Sequence, residues 1–167
     1  MTARTRSHPL WLAAVDPGVR RCGLAVFRDS ELICASEPEH PTDVARVVVA
    51  AVDCAINEFG SVYWVAETPQ DYPGKRRREG TLEQLREVIR AVGMLRTDIG
   101  PAVATRTPRK WKGNVPKEVH HKRILALLTP KERAIVEALP RDRDALDAVG
   151  LGLYELGRCG RGGRRIV

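Results

Sequence analysis

The spacing of apolar and polar residues changes period along the chain, dividing it into strands, then alternating strands and helices, then helices. Two apolar runs at 11–15 and 24–27 are too short for helices and read as strands. Asp16-Pro17-Gly18 lies between them; Pro fixes φ and Gly accepts the positive φ of a tight turn. A third strand at 31–35 completes an antiparallel meander. Thr42 is placed as the N-cap of a helix to about residue 58, ahead of Gly60. The β-branched and aromatic stretch 61–67, SVYWVAE, reads as a buried strand ending on a carboxylate. A loop at 68–80, with Pro69, Pro73 and a basic run at 75–78, leads to a helix at 81–98. In that helix Leu82, Leu85, Ile89 and Val92 recur at helical spacing, and Val88 and Leu95 widen the stripe. A short strand at 102–105 and a Pro-, Gly- and Lys-rich loop at 107–117 follow. Three helices are then expected at 117–128, 130–139 and 142–156, the second with Thr129 as N-cap and Pro130 at its first position.

Strands first, then strand and helix alternating, then helices, implies a mixed α/β sandwich with one central sheet. Residues 1–9 read as a flexible basic arm, 10–157 as a single domain and 158–167 as a mobile Gly/Arg-rich tail. With 167 residues, 43% of them hydrophobic, the chain suits one domain with a true core and not a disordered protein. No apolar run is long enough to span a bilayer, and the one at 10–15 is too short for a secretory signal. Cys22, Cys34, Cys54 and Cys159 are widely spaced with no Cys-x-x-Cys pair. That argues against a zinc site or disulfide framework and for buried thiols in a reducing cytoplasm.

Charge narrows the function. The net charge of +7 favours a polyanionic partner, either nucleic acid or an anionic membrane. Residues 106–123 contain Arg106, Arg109, Lys110, Lys112, Lys117, Lys122 and Arg123 against the single acid Glu118, a net of +6. Lys75, Arg76, Arg77 and Arg78 form a second cluster and the arginines of 158–165 a third. Such patches neutralise phosphates and release counterions, although each also fits a solvated charged loop. His120 and His121 read as exposed helix residues. Trp111 fits either a core anchor or a ligand contact. Tyr72 fits either stacking on an unpaired base or packing on its own loop.

Four carboxylates end or punctuate apolar elements: Asp16, Glu67, Asp144 and Asp147. The last two stand at i and i+3, on one face of a helix whose Leu146, Val149, Leu151, Leu153 and Leu156 provide an apolar docking surface. Asp142 competes with Asp144, but two residues away it turns off that face and fits an N-cap. Carboxylates gathered beside a core repel one another unless cations neutralise them. Hard oxygen ligands suit Mg²⁺ or Mn²⁺, and two such ions support phosphodiester hydrolysis.

The segments AVDPGVRRCGLAVF, VYWVAE, TPRKWKGNVPKEV and DALDAVGLGL, in this order and spacing, resemble the RuvC Holliday-junction resolvases, a family of the RNase H-like superfamily. The likeness covers residues 11–156. It implies an RNase H-like fold with a central mixed five-stranded sheet flanked by helices. It further implies that Asp16, Glu67, Asp144 and Asp147 bind two Mg²⁺ or Mn²⁺ ions, and that Lys112 and Lys117 are the active-site basic residues contacting phosphate. Arg109, Lys110 and Lys122 extend the basic DNA-binding segment. The 68–80 loop becomes the junction-contacting loop, with Tyr72 as its stacking aromatic beside Lys75–Arg78. The 81–98 helix becomes part of a homodimer interface, and the products carry 5′-phosphate and 3′-hydroxyl ends. This loop departs from the family in having Tyr and a KRRR run where Phe is expected. Arg21-Cys22-Gly23 is also similar to the YqgF-like nucleases that process ribosomal RNA. A non-catalytic nucleic-acid-binding module, with structural acids, is the reading from a different class.

Overall fold

Strand β1 (Trp11–Asp16) is buried on both faces from Leu12 to Val15, and the rest of the sheet is laid out around it. The computed structural model describes residues 10–17, 21–37, 62–68, 104–139 and 144–159. β2 (Gly23–Arg28) pairs antiparallel with β1, bringing Gly23 opposite Asp16. β3 (Glu31–Ser36) pairs antiparallel with β2 through a two-residue turn at Asp29-Ser30, both with positive φ. That conformation matches the twist of a hairpin. The β2–β3 register shifts between Val26 and Phe27, so exposed Ile33 faces no partner residue and the edge strand carries a bulge.

β4 (Val62–Glu67) runs parallel to β1 on its other side, and β5 (Ala104–Arg106) runs parallel to β4. The sheet order is β3-β2-β1-β4-β5, a five-stranded mixed sheet. Alternation along the strands separates two apolar layers. Leu12, Ala14, Ala25, Phe27 and Val65 share one layer with the C-terminal helix, while Ala13, Val15, Leu24, Val26, Val62, Trp64 and Ala66 form the other.

Helix α1 (Pro108–Trp111) lies where a loop is expected from the sequence; it has one turn, too few residues for a periodic signal. α2 (Lys117–Leu127) and α3 (Pro130–Glu137) follow within a few residues of their expected bounds. Thr129 caps α3, and Glu132 returns the bond to complete a capping box. α4 (Asp144–Glu155) packs across β1 and β2 and is buried at every residue from Ala145 to Glu155. The helices expected at 42–58 and 81–98, and Asp142, lie outside the described residues.

Two expectations need correction. His120 and His121 are buried, because α2 turns them toward Trp111 and α4. Arg158 does not begin a loose tail. Its guanidinium pairs with fully buried Glu132 and donates to the carbonyls of Ser30 and Leu127. Cys34 and Cys159 are free thiols and Cys22 is buried. No described helix is long and apolar enough to cross a membrane.

Candidate active site

Strand periodicity places the first two acids. Leu12 and Ala14 on β1, and Tyr63 and Val65 on β4, face the α4 side, so Asp16 and Glu67 continue the same faces. They stand one residue beyond the paired Val15 and Ala66, at the ends of adjacent parallel strands. Helix α4 begins over the same end of the sheet. Its first turn is set there by Gly23: a Cβ at that position would lie 2.1 Å from the Asp144 carbonyl oxygen. From the β3 side, Glu37 accepts a hydrogen bond from the Ala145 amide at 3.1 Å, capping a turn that already carries Asp144 and Asp147.

Two lysines bridge the acids. Lys112 Nζ lies 3.2 Å from Glu67 Oε2 and 3.8 Å from Asp147 Oδ1. Lys117 Nζ lies 3.4 Å from Asp144 Oδ1 and 3.5 Å from Asp147 Oδ2. Behind them, Trp111 Nε1 donates to Glu67 Oε2 at 2.8 Å, and His121 Nε2 is 3.4 Å from Asp147 Oδ1. His120 packs edge-on against the Trp111 ring at 4.9 Å.

The electrostatics follow from this crowding. Burial, then the Glu67 and Asp147 charges, hold the Asp16 carboxyl well above its ordinary pKa, against the pull of Lys112. Burial also raises Glu67, with Lys112 and the Trp111 N–H working the other way. Burial pulls the Lys112 ammonium down, but Asp147, Glu67 and Asp16 outweigh it and the net shift is upward. Lys117 is raised likewise, Asp147 and Asp144 overcoming its desolvation. Burial pulls His120 down to about 4, so it is a neutral imidazole near pH 7.

The donor chemistry fits a hard divalent cation. All four acids are carboxylates, and Asp147 Oδ1 is buried without a hydrogen-bond partner. Among the described residues no three His, Cys, Asp or Glu side chains are gathered as ligands of one ion; the two ammonium groups lie between the acids instead.

The structure thus brings together Asp16, Glu67, Asp144, Asp147, Lys112 and Lys117. Arg109, Lys110 and Lys122 are exposed on the neighbouring helices. Arg106, the first residue of the basic run, is held by Glu155 through bonds of 2.6 and 2.9 Å. Tyr72, Lys75, Arg76, Arg77 and Arg78 lie outside the described residues. The contacts of Glu37, Trp111 and His121 are not readable from sequence spacing, since each crosses from another element. Trp111 and His121 stand out in the sequence only as members of the basic 106–123 segment, His121 on a face expected to be exposed, and Glu37 carries no signal there.

The chain has a RuvC-like fold. It is similar to the structure of T. thermophilus RuvC in complex with Holliday junction substrate, with a TM-score of 0.64 and 18% identity over 86% of this chain and 91% of that one. A second Thermus thermophilus RuvC structure matches with a TM-score of 0.59 and 16% identity, over 89% and 95% of the two chains. No protein-family model matches the sequence, and no curated protein matches it.

Proposed function

We propose that this chain is a divalent-metal-dependent endodeoxyribonuclease that resolves four-way DNA junctions. It would do so by paired symmetric nicks leaving 5′-phosphate and 3′-hydroxyl ends. The observation that carries the reading is the convergence of four carboxylates from β1, β4 and α4, with two lysines, at one end of the sheet. The similar fold of a RuvC bound to Holliday junction substrate supports the choice of DNA substrate.

Asp16, Glu67, Asp144 and Asp147 would hold two Mg²⁺ or Mn²⁺ ions. When bound, such a pair lowers the pKa of a water and stabilises charge on the leaving oxygen. The protein's own groups do the rest. Lys117, with its side chain 51% exposed beside Asp144 and Asp147, is open to an incoming phosphate and can balance charge that develops there. Lys112 is more enclosed and offsets the repulsion between Glu67 and Asp147. Arg109, Lys110 and Lys122 would hold the flanking backbone. Tyr72 and Lys75–Arg78 stay in the proposal as junction contacts. A homodimer would present two such sites to a nearly two-fold junction, which is what paired nicking requires.

The test is cleavage of a labelled synthetic four-way junction with Mg²⁺ or Mn²⁺, beside linear duplex and an RNA hairpin, with Asp16→Asn as control. Symmetric nicks confined to the junction, and absent in the control, are expected. Cleavage of the RNA alone would replace this reading with RNA processing, and silence on every substrate would reduce the protein to a binding module.

A further inference from the structure

Trp111 is not needed to explain a basic DNA-binding segment, yet it is one of the most constrained side chains near the acids. It ends the one-turn helix α1, and its ring lies in a slot on α4 that exists because residue 150 is glycine. A Cβ there would come 2.8 Å from Trp111 Cζ3 and 2.5 Å from Ile124 Cδ1. His120 closes the slot edge-on. Seated this way, the indole directs its N–H at Glu67 Oε2, 44 residues earlier in the chain, at 2.8 Å. Lys112 Nζ approaches the same oxygen at 3.2 Å and lies 5.0 Å from the indole centroid.

The two donors differ in one respect that matters. A cation arriving at Glu67 competes with the Lys112 ammonium, because both carry positive charge. The indole N–H carries no net charge and can keep its bond while the carboxylate serves a cation. Hydrogen bonds of this type orient carboxylate ligands and commonly change metal affinity or activity by about 10–100-fold when removed.

We propose that Trp111 is a positioning residue of the acidic site. Seated by Gly150 and His120, it fixes the Glu67 carboxylate for divalent-cation binding. The inference rests on reading the four acids as a cation site.

The experiment measures Mn²⁺ affinity by calorimetry without DNA, and junction nicking as a function of Mn²⁺, for wild type, Trp111→Phe, Glu67→Gln and the double variant. Trp111→Phe should bind Mn²⁺ at least about tenfold more weakly. Its nicking should fall at limiting Mn²⁺ and recover at high Mn²⁺, with junction affinity unchanged. In the Glu67→Gln background the same substitution should cost nothing further, since its effect passes through that carboxylate. Unchanged Mn²⁺ affinity, or an equal loss in both backgrounds, would overturn the proposal. Should phenylalanine fill the slot too poorly for the protein to fold, benzothienylalanine placed at 111 keeps the bicyclic ring without the N–H and must give the same loss. Nicking by the wild type with no Mn²⁺ effect of Trp111→Phe removes the role of Trp111 and leaves the nuclease standing. Weakened Mn²⁺ binding in a protein that cuts nothing does the reverse.

Discussion

Replacing Arg158 by Met should unfold the protein more readily than any surface change, and the structure sets the size of the effect. Glu132 is fully buried. Its Oε1 accepts from the Leu32 amide at 2.9 Å and from Arg158 Nη1; its Oε2 accepts from the Thr129 amide and from Arg158 Nη2, both at 2.8 Å. The same guanidinium reaches Ser30 and Leu127, so one side chain joins the β2–β3 turn, the end of α2 and the start of α3. The Arg158 hydrogen bonds, helped by the two amides and opposed by burial, pull the Glu132 carboxyl from 4.5 to about 2. A carboxylate with a depressed folded pKa adds stability that is whole above its unfolded value and fades as pH falls through the folded one. Over that interval the linkage amounts to about 3 kcal/mol. Breaking a buried pair by removing one partner costs about 3–5 kcal/mol, a similar magnitude. Methionine keeps much of the apolar stem, so Arg158→Met should cost about 3 kcal/mol at pH 7. By pH 4 the penalty should shrink by about 1 kcal/mol, because protonation of Glu132 in the wild type begins to remove the part of the stabilisation that the guanidinium supplies. Urea unfolding followed by circular dichroism at both pH values measures this. A penalty below about 1 kcal/mol at pH 7, or one that grows toward pH 4, would refute the account.

Three further outcomes are expected. Lys112→Ala with Lys117→Ala should slow junction nicking more than it weakens junction binding, because Arg109, Lys110 and Lys122 still neutralise phosphate; equal losses in a binding-and-cleavage comparison would leave these lysines as DNA contacts only. Mn²⁺ at 100 times its dissociation constant should stabilise the folded state by about 2.7 kcal/mol and raise the melting temperature by roughly 5–10 °C, a shift that Asp147→Asn should largely remove in a thermal scan. Gly23→Ala should force the start of α4 off the sheet, since the neighbour 2.1 Å from the new Cβ is backbone and cannot rotate away. A displacement of about 1 Å in Asp144 is enough to cut nicking about 100-fold in single-turnover assays, and wild-type rates would contradict it.

The strands and the positions of the acids were legible in the sequence for the same reason: both are written in short-range periodicity, whereas the pairing of the strands into a five-stranded mixed sheet was implied only by the family resemblance. Apolar runs ending on Asp16 and Glu67 specify strand and carboxylate together, and the Asp144–Asp147 spacing specifies a helix face. Thr129-Pro130 announces the start of α3 as clearly. What was illegible depends on partners far along the chain. Helix α1 has a single turn and no period to detect. His120 and His121 sit among lysines and arginines, and α2 has little amphipathic signal; their burial is decided by Trp111 and α4. Arg158 reads as the beginning of a charged tail until Glu132, 26 residues away, is seen to hold it.

Helix α4 ties stability to chemistry. It is the most thoroughly buried element described, and its first turn carries two of the four acids. A helix so fixed in the core cannot swing Asp144 and Asp147 away from Asp16 and Glu67 to relieve their repulsion. The strain is met locally instead, by Lys112 and Lys117 between the carboxylates and by a raised Asp16 pKa. On the proposed reading, the backbone bearing these carboxylates would move little on binding a cation, and the rearrangement would fall on the two lysine ammonium groups that lie between them. The core and the acidic site are therefore one construction: the apolar face of α4 supplies the rigidity, and its first turn converts that rigidity into a fixed array of charge.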